Sequence, residues 1–546
     1  MAGTIVGVLA EVAERDRGAL VFHEDSGSTE RLTATALLEH AEGAASFLRG
    51  RGVSPGDAVG LLGPNDAEWA RWAFGIWACG ATLVPIQFPL RVRDPGALAE
   101  QVASLLGGVP CRIVVAHPGL MDVLPDGLGV AWDARANGRA GPPAAGEPND
   151  VAVAQFTSGT TGAPKAAVIT NGAVVAAIEA TAAAYGVTED DVFAGWQPFF
   201  HDLGLFGLLL RPLLLGLEAH FISTARFARD PAEWLRLAGR SGATMLAGPS
   251  SAWAAATRAA SRDASGCDLG SIRMATFSAE TVDRRAVEDL MAVGGGLGLR
   301  PEALSAAYGM AETTLAVTVT RPGAGLRFDE VGLVELAEHG RAAPADGGAV
   351  RSVASCGVAV PGAEVRILDP AGDEMPERSV GRVVARAPYL FSGYRSADGD
   401  EVFTPDGWLR TGDLGYLAEG ELFFTGRQKD VIVVLGRNHD PDDLEWAAGR
   451  VPGVRTGRCV ALSMPAAGEG SVTVVVEPRE GADVGELPIL VRRGVIDAIG
   501  VVPTEVLVVA AGTVPKTTSG KVRRSALRQA ILEGTVPVIG MWPRPR

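Results

Sequence analysis

The chain has 546 residues, of which 47% are hydrophobic and 21% are charged. This composition is typical of globular proteins, and at about 100–200 residues per domain the length allows several domains or one large enzyme with subdomains. Acidic residues outnumber basic ones by 64 to 49, and the formal net charge of −15 disfavours general binding to nucleic acid or anionic membranes.

Helices and short buried strands alternate along the first 320 residues. An amphipathic helix over 36–53 is followed by a buried strand over 58–64, a helix over 69–81 and a strand over 82–88. Such alternation predicts an α/β fold whose mainly parallel sheet is covered by helices on both faces. A connector rich in Gly, Pro and Ala, residues 134–149, interrupts the pattern, which then resumes.

The most apolar stretch, residues 203–222, contains Arg211, Pro212 and Glu218. It is too interrupted to span a bilayer, and we interpret it as a buried helical hairpin. The N-terminus has no basic n-region, so we expect no signal peptide. The five cysteines are scattered without a CxxC or Cys/His cluster, which argues against structural zinc and disulfides and favours a reducing cytoplasm.

Two further regions complete the predicted architecture. Short strands, turns and glycines occupy about 330–425, and a new pattern of strands and helices begins at Asp430. We predict mixed sheets covered by helices in a large N-terminal domain, followed by a small α+β C-terminal domain.

Lysine is rare in this chain, which makes its positions informative. Only four of the 49 basic residues are lysines, and arginine supplies positive charge everywhere else. A planar guanidinium cannot replace a compact ammonium at every site. We therefore take the surroundings of these lysines as candidate functional segments: Lys165, Lys429, Lys516 and Lys521.

The first lysine ends a loop of glycines and hydroxyl residues, TSGTTGAPK at 157–165, between two strand-like segments. Glycines let the backbone present N–H groups to an anion, hydroxyls add donors and the lysine adds charge. The GxxxxGK[ST] spacing is not met, and a plain polar hairpin is the alternative. The residues predicted to bind phosphate are Thr157, Ser158, Gly159, Thr160, Thr161, Gly162 and Lys165.

Two segments in the middle of the chain carry further candidates. His201, a candidate catalytic residue, stands in WQPFFHDLG among aromatics that could line an acyl or aryl pocket; a structural histidine is the alternative. In YGMAET, Tyr308 could stack on a purine and Glu312 could hold Mg²⁺ through one oxygen. The alternative for YGMAET is a helix start with an exposed glutamate.

The remaining segments lie towards the C-terminus. Asp413 in RTGDLG suits paired ribose hydroxyls, and Arg427, 14 residues later in GRQKD, could reach ribose or phosphate. Surface turns are the alternative for both. The last segment, PKTTSGK at 515–521, is a glycine-containing loop that carries two of the four lysines.

In this order and spacing, TSGTTGAPK, YGMAET, TGDLG, GRQKD and PKTTSGK resemble the adenylate-forming superfamily of acyl- and aryl-CoA synthetases, peptide-synthetase adenylation domains and luciferases. WQPFFHDLGL and VPKTTSGKVRR most resemble the fatty acyl-AMP ligases. The resemblance implies a ligase that uses ATP and Mg²⁺ to activate a carboxylic acid, a fatty acid by this subgroup, and passes it to the phosphopantetheine arm of an acyl carrier protein, as in polyketide or other secondary metabolism.

The resemblance also implies roles for individual residues. The 157–165 loop would hold the ATP β- and γ-phosphates, Glu312 the Mg²⁺, and Asp413 the ribose hydroxyls, with Arg427 at ribose or phosphate. Lys521 would bridge the substrate carboxylate and the α-phosphate. The residues implied around adenine are Tyr308, Gly309, Met310, Ala311 and Thr313, with Ser278, Ala279 and Glu280 beside them.

Domain organisation follows from the same resemblance. Residues 1–428 would form the adenylation domain, and residues 429–546 a mobile domain that swings about Lys429. Glu312 and Cys356 are 44 positions apart, longer than CoA ligases need. Residues from about 320 to 352 would be the insertion that restrains the C-terminal domain of fatty acyl-AMP ligases and disfavours CoA as acceptor.

Departures from the family pattern leave the acyl substrate open. The usual Asn-Gly before Ala-Glu is Phe277-Ser278 here, and the usual proline after that glutamate is Thr281. The alternatives are an acyl- or aryl-CoA ligase, an amino-acid adenylation domain, and a nucleotide-binding regulator without catalysis.

Overall fold

The computed structural model describes residues 3–87, 95–133, 146–157, 165–345, 348–395, 402–434, 437–464, 471–516 and 522–543. The helices are α1 (Ile5–Glu14), α2 (Ala34–Gly50), α3 (Ala67–Ala78), α4 (Pro95–Gly108), α5 (Asn171–Ala184), α6 (Arg211–Leu214), α7 (Thr224–Arg229), α8 (Ala232–Ser241), α9 (Ser250–Ala260), α10 (Arg284–Gly294), α11 (Leu333–His339), α12 (Pro441–Gly449), α13 (Leu487–Ile499) and α14 (Arg524–Leu532).

The strands are β1 (Ala19–His23), β2 (Thr29–Thr33), β3 (Ala58–Leu62), β4 (Thr82–Ile86), β5 (Ile113–Ala116), β6 (Gly129–Ala131), β7 (Val151–Thr157), β8 (Lys165–Thr170), β9 (Val192–Gly195), β10 (Glu218–Ile222), β11 (Met245–Gly248), β12 (Met274–Phe277), β13 (Leu304–Gly309), β14 (Ala316–Val319), β15 (Phe328–Gly332), β16 (Val350–Ala354), β17 (Val358–Ala359), β18 (Glu364–Leu368), β19 (Gly381–Arg386), β20 (Tyr394–Arg395), β21 (Leu409–Ala418), β22 (Glu421–Arg427), β23 (Ile432–Val434), β24 (Arg437–His439), β25 (Val454–Ser463), β26 (Val472–Pro478), β27 (Glu505–Val509) and β28 (Val538–Trp542).

The chain divides into two compact units that interleave along the sequence. The first comprises Met1–Leu326, Cys356–Glu364 and Arg386–Gly407, and the second comprises Arg327–Ser355, Val365–Ala385 and Trp408–Arg546. The predicted boundary between residues 428 and 429 concerns a rotation of the C-terminal part and stays a prediction.

The first unit contains two large mixed sheets, as the α/β prediction requires. One has nine strands in the order β17-β14-β13-β12-β11-β9-β10-β1-β2, and the other has seven in the order β20-β8-β7-β4-β3-β5-β6. The central strands of both sheets are parallel. Antiparallel strands lie at both edges of the nine-stranded sheet and at the β20-β8 edge of the seven-stranded sheet, whose other edge strand, β6, is parallel to β5. Parallel strands buried on both faces need continuous apolar runs, and β3 and β4 are buried along their whole length.

Aromatic side chains fill the core next to the nine-stranded sheet. The ring of Phe199 lies 5.4 Å from that of Trp69 and 5.2 Å from that of Phe221. Trp234 and Trp253 are 4.3 Å apart and belong to the same group of fully buried rings. Large rings in contact bury much apolar area, so these tryptophans contribute strongly to the stability of the first unit.

The helical hairpin predicted over 203–222 is wrong. Residues Leu203–Leu210 form a π-helix that continues into the short α6, and the rest is β10, a strand inside the nine-stranded sheet. Gly216 ends the helical part with φ of +74°, which favours glycine, and the β-prone sequence HFI then pairs with β1 and β9.

Arg211 interrupts the apolar run without disrupting the core. Its side chain is buried, and its guanidinium lies 5.1 Å from the ring centres of both Tyr185 and Phe193. Cation–π attraction on two rings offsets part of the cost of taking the charge out of water. Within the part of the chain that the structure describes, no helix combines the length and the apolar character needed to cross a membrane.

The described residues of the second unit form four smaller sheets. They are β15-β16, β18-β19-β21-β22, β23-β24 and β25-β26-β27-β28. In the last sheet, β26 and β27 are parallel while β25 and β28 pair antiparallel at the edges. Valines from these strands pack on α12 and α13 in one apolar core, so residues after Asp430 form the α+β arrangement that the sequence predicted.

Candidate functional site

Two antiparallel strands frame the predicted phosphate loop. β7 ends at Thr157, β8 begins at Lys165, and these two residues are partners in register. The Thr157 hydroxyl donates to the Lys165 carbonyl at 3.5 Å. The two ends of the loop are therefore fixed next to each other by the sheet. The predicted loop residues Ser158, Gly159, Thr160, Thr161 and Gly162 lie outside the described residues, as does most of the predicted 134–149 connector.

Lys165 and Glu312 both contact one tyrosine, Tyr394. Strand β20 pairs antiparallel with β8 and places Tyr394 opposite Ala167. The Lys165 ammonium Nζ lies 5.6 Å from the centre of the Tyr394 ring. The Tyr394 hydroxyl donates a hydrogen bond to Oε1 of Glu312. The lysine predicted for phosphate and the carboxylate predicted for metal thus belong to one local cluster.

The backbone that carries Glu312 is held by a tight turn. β13 ends at Gly309, where an added Cβ would lie 2.0 Å from the Leu315 carbonyl oxygen, so only glycine fits. The Thr313 hydroxyl accepts from the Met310 N–H at 3.0 Å and donates to the Leu315 carbonyl at 2.8 Å. These contacts position Ala311 and Glu312. Tyr308, which precedes Gly309 on β13, is buried, with 8% of its surface exposed.

The predicted adenine segment follows the neighbouring strand, β12. β12 and β13 are parallel, so Ser278 and Gly309 emerge at the same edge of the sheet. Ala279 has φ of +66°, a conformation that side chains rarely adopt. The Ser278 hydroxyl is buried with no hydrogen-bond partner among the described residues. This edge thus offers a strained backbone and an available hydroxyl.

Glu280 has a structural contact at this edge. Its carboxylate accepts hydrogen bonds from the backbone N–H of Ser251 at 2.9 Å and from the Ser251 hydroxyl at 3.0 Å. A carboxylate in this position satisfies the unpaired N–H groups in the first turn of α9 and is favoured by the helix dipole.

His201 is oriented by its neighbour in sequence. Its ring Nδ1 lies 2.5 Å from Oδ1 of Asp202, and the same oxygen accepts the N–H of Leu203 at 2.7 Å. The preceding Phe200 carbonyl accepts from the Gln155 side chain on β7 at 2.8 Å. The segment around His201 is therefore attached to the strand that leads into the phosphate loop.

Asp413, Arg427 and Lys429 lie in the second unit. Asp413 on β21 is 5% exposed and pairs in register with Arg427 on β22, whose Nε lies 3.6 Å from Oδ1 of Asp413. Lys429 follows in the turn after β22. Burial, and then the nearby Arg427 guanidinium, lower the pKa of the Lys429 ammonium. The sequence grouped these three residues, and the strands bring them together.

The loop that carries Lys521 is described only at its two ends. Residues 517–521 lie outside the described residues, while Lys516 and Val522 pair as an antiparallel bridge and the Arg523 N–H donates to the Pro515 carbonyl at 2.9 Å. Next in the chain, the Arg524 guanidinium contacts Asp442 at 2.6 Å and Glu445 at 2.9 Å on α12. The base of the lysine loop is thereby attached to α12.

A single carboxylate is suited to the metal that accompanies a nucleotide. Mg²⁺ is usually held by one or two carboxylates, with phosphate oxygens and waters as its other ligands. Glu312 is a half-buried hard oxygen donor of this kind. Among the described residues no group of three or more His, Cys, Asp or Glu side chains could hold a metal ion by itself.

Sequence reasoning missed Tyr394. In the sequence it stands in SGYRS, remote from every motif, and its spacing to Glu312 has no recognisable period. Only the pairing of β20 with β8 brings it to the cluster. A contact that depends on the non-local pairing of two strands leaves no local signal in the sequence.

Comparison with known proteins identifies the family. The model of the family described as "AMP-binding enzyme" matches residues 9–395. A Mycobacterium tuberculosis protein described as a candidate ligase is 39% identical over 91% of this chain and 94% of its own length. A Caulobacter vibrioides protein described as a candidate acyl-CoA synthetase is 30% identical over 97% and 96%.

One relative with a more specific name and one solved structure support the same family assignment. The medium-chain-fatty-acid–[acyl-carrier-protein] ligase JamA of Moorena producens is 34% identical over 71% of this chain and 68% of its own length. A structure of a fatty acyl-adenylate ligase from E. coli or L. pneumophila has a TM-score of 0.90 and 26% identity, covering 97% of this chain and 98% of that one.

This chain belongs to the AMP-binding enzyme family. Within that family it is an adenylate-forming ligase of the fatty acyl-AMP ligase type, with the same mixed α/β fold as the solved fatty acyl-adenylate ligase. The resemblance read from TSGTTGAPK and the following motifs is confirmed, and so are the predicted fold class and enzyme class.

Proposed function

We propose that this ligase activates a fatty acid with ATP and passes the acyl group to the phosphopantetheine thiol of an acyl carrier protein. In the first step a carboxylate oxygen attacks the ATP α-phosphorus, and the bond to the β-phosphate oxygen breaks, which gives acyl-AMP and pyrophosphate. In the second step the thiol attacks the acyl carbonyl, AMP leaves, and the thiol proton goes to solvent.

The observation that carries the first step is that Lys165, at the end of the phosphate loop, and Glu312 both contact Tyr394. An ammonium there neutralises the β- and γ-phosphates as charge shifts onto pyrophosphate. Glu312 would hold Mg²⁺, which neutralises phosphate charge when bound. Ser278 and Tyr308 stand at the sheet edge where an adenine would lie, and His201 beside β7 suits the acyl side.

The second unit supplies the remaining proposed roles. Asp413 and Arg427 form a carboxylate–guanidinium pair that suits ribose hydroxyls and a phosphate oxygen. Lys521 is assigned to the substrate carboxylate and α-phosphate by resemblance. Lys429, in the turn after β22, is the proposed hinge for residues 429–546.

Contacts of the predicted insertion support a carrier protein as acceptor. β15, α11 and β16 are built from this segment, and Val331 and Val353 pack with Tyr416 and Phe423 in one core. This ordered packing argues against a plain surface loop at these positions. In the same unit, Arg437 contacts Glu338 at 2.7 Å and Arg351 contacts Asp443 at 3.1 Å. The insertion thus holds residues just beyond the proposed hinge.

An acyl-CoA ligase is the second candidate because the Caulobacter vibrioides relative is described as a candidate acyl-CoA synthetase. The two functions share the adenylation step and differ in the acceptor. The name of JamA, an acyl-carrier-protein ligase, favours the first candidate, as do the contacts of the insertion.

The test begins with ATP–pyrophosphate exchange across a panel of carboxylic acids of increasing chain length. The preferred acid is then offered with CoA and phosphopantetheinylated carrier protein in competition. We expect exchange with fatty acids and acyl-carrier product in excess over acyl-CoA. Efficient acyl-CoA formation would move the assignment to the CoA ligases, and no exchange with any acid would favour a non-catalytic nucleotide-binding protein.

A further inference from the structure

Tyr394 contacts both charged residues proposed to act on the ATP phosphates. Its hydroxyl donates to Oε1 of Glu312, and its ring faces the Lys165 ammonium at 5.6 Å. No motif in the sequence includes it. A residue that touches a metal carboxylate and a phosphate lysine at once can set the distance and orientation between them.

The phenol–carboxylate hydrogen bond has a directional consequence. A hydrogen bond to a charged acceptor is stronger than a neutral one and fixes the plane of the carboxylate. With Oε1 held by the phenol, rotation of the Glu312 carboxylate is restricted, so the direction in which it meets a cation is set. Partners that orient a metal ligand in this way commonly change metal affinity by roughly 10- to 100-fold when they are removed.

Tyr394 is itself held firmly from two directions. Its backbone is part of β20, paired with β8 at Ala167. The Phe391 ring packs edge-on against its ring with centroids 4.9 Å apart. The backbone N–H of Phe391 also donates to the Glu312 carbonyl oxygen at 2.9 Å. The short segment 391–394 therefore fixes both the backbone and the side chain of Glu312.

The ring of Tyr394 acts on Lys165 through a different force. A cation over an aromatic face is attracted by the negative face of the ring, and the attraction grows when the pair is shielded from water. Because Lys165 is the first residue of β8, two strand positions from the partner of Tyr394, the ring restricts where the flexible ammonium can go.

We propose that Tyr394 is a positioning residue for the metal–phosphate site: its hydroxyl orients Glu312 towards Mg²⁺, and its ring holds the Lys165 ammonium towards the phosphates. The proposal rests on the proposed function, since it assumes that Mg²⁺ and ATP bind at this cluster. The proposal predicts two separable effects: the hydroxyl affects metal binding through Glu312, and the ring affects nucleotide binding through Lys165.

The test uses binding as well as activity. Mn²⁺ binding in the presence of a non-hydrolysable ATP analogue is measured by electron paramagnetic resonance, and binding of the analogue without metal is measured by calorimetry. Tyr394→Phe should weaken Mn²⁺ binding about tenfold while leaving metal-free analogue binding within about twofold. Tyr394→Leu removes the ring as well and should weaken both.

Tyr416→Phe provides the matched control. The Tyr416 hydroxyl also donates to a carboxylate, Oδ2 of Asp329 at 2.7 Å, but that pair lies in the second unit and outside the proposed metal cluster. Its removal should leave Mn²⁺ and analogue binding unchanged. In addition, Tyr394→Phe should have no further effect on Mn²⁺ binding in a Glu312→Gln background, because the two residues act through one interaction.

The outcomes are distinct. Wild-type or tighter Mn²⁺ binding by Tyr394→Phe overturns the proposal; tighter binding would mean that the hydroxyl competes with the metal for Oε1. Equal loss in the Glu312→Gln background would show a general structural role and also overturn it. If the wild-type protein binds no Mn²⁺–analogue complex and exchanges no pyrophosphate, the proposed function fails instead.

Discussion

At the residue scale, Asp66 shows how burial sets the chemistry of a single carboxyl group. It precedes α3, and its Oδ1 accepts the Trp69 N–H at 2.9 Å. Burial raises its pKa to about 7, and the charges of Glu68 and Glu30 add to the shift, against the opposing effect of the Trp69 N–H. The folded protein therefore holds a proton here that the unfolded chain releases near pH 4.

We predict that Asp66→Asn removes this pH dependence. Because the folded pKa lies above the unfolded one, the stability supplied by protonated Asp66 is complete below about pH 4 and is lost as pH rises through about 7. Asn keeps the capping acceptor without ionising. The variant should melt higher than wild type by a margin that grows between pH 5 and pH 8 and reaches about 2 °C or more at pH 8, measured by differential scanning fluorimetry.

The control is Asp283→Asn. Asp283 caps α10 in the same way, accepting the Arg285 N–H at 2.9 Å, but it is exposed. Its replacement should leave the difference between the melting temperatures at pH 5 and pH 8 unchanged. An Asp66→Asn protein with the wild-type pH profile would contradict the assignment of a raised pKa.

Single residues differ in how far the sequence reveals them. Asp413 and Arg427 were predictable because they stand in adjacent glycine-containing motifs that become partners in a hairpin. Tyr394 was not, because its approach to Glu312 depends on β20 pairing with a strand more than 200 residues earlier in the chain. Local motifs encode local turns, whereas non-local strand pairing is decided by tertiary packing.

At the element scale, the secondary structure of long apolar runs was the hardest feature to predict from the sequence. Residues 203–222 are apolar almost throughout, so periodicity could not separate helix from strand. The outcome, a π-helix followed by β10, depends on the space that the sheet leaves between β9 and β1. By contrast, α12, α13 and α14 were predictable, since each has polar and apolar residues at helical spacing.

Helices α12 and α14 are joined by a partly buried ion cluster. Arg524 at the start of α14 contacts Asp442 and Glu445, and Oε1 of Glu445 also accepts the Ala461 N–H at 3.0 Å. Burial raises the pKa of Glu445 to about 8, despite the opposing charge of Arg524. Removing the guanidinium would leave this carboxyl group buried without a cation.

We predict that Arg524→Leu destabilises the α12–α14 contact by about 1–2 kcal/mol, between the cost of breaking an exposed ion pair and that of breaking a fully buried one, because the cluster is partly exposed. The loss should be larger at pH 9 than at pH 6, because the isolated Glu445 carboxyl can take up a proton only at the lower pH. Hydrogen exchange of α14 and β25 measures the local opening free energy.

The comparison variant is Arg493→Leu on α13. Arg493 and Asp497 form an exposed pair one helical turn apart, with 3.5 Å between Nε and Oδ2. Such surface pairs contribute little, so the opening free energy should change by less than about 0.5 kcal/mol. If both arginine variants changed the opening free energy by the same amount, the Arg524 ion cluster would contribute no more than an exposed surface pair.

At the scale of the whole molecule, the proposed cycle needs a hinge after β22. We predict that Lys429→Pro leaves adenylation within about threefold of wild type and abolishes most thiol transfer, because proline fixes φ where the rotation must be absorbed. Single-turnover assays of acyl-AMP formation and of its transfer to carrier protein measure the two steps. Lys429→Ala, which keeps backbone freedom, should transfer normally.

Normal transfer by the proline variant would place the hinge elsewhere. Slow transfer by both variants would instead mean that the ammonium itself is needed. The comparison matters because the Lys429 ammonium lies near the charged groups of Arg427, Asp430 and Asp413, so the side chain and the backbone could each contribute.

In our proposal the insertion controls a property of the whole molecule, its preference for a carrier protein over CoA as acceptor. Arg351 on β16 is mostly buried, donates to the Thr425 carbonyl at 2.9 Å, and lies 3.7 Å from Asp440 and 3.1 Å from Asp443 at the start of α12. An added Cβ on Gly426 would lie 1.7 Å from Oδ2 of Asp440, so β22 and α12 are in close contact here.

We predict that Arg351→Leu increases acyl-CoA formation relative to acyl-carrier product by about tenfold, with pyrophosphate exchange within about threefold of wild type. Without the guanidinium, two carboxyl groups are left buried at the start of α12, which weakens its contact with the insertion by several kcal/mol. Arg327→Leu is the control, because Arg327 precedes the same hairpin but contacts Glu419 and Glu421 instead of α12. Competition between CoA and carrier protein measures the ratio, and an unchanged ratio in a folded Arg351→Leu protein would show that this contact does not restrain the choice of acceptor.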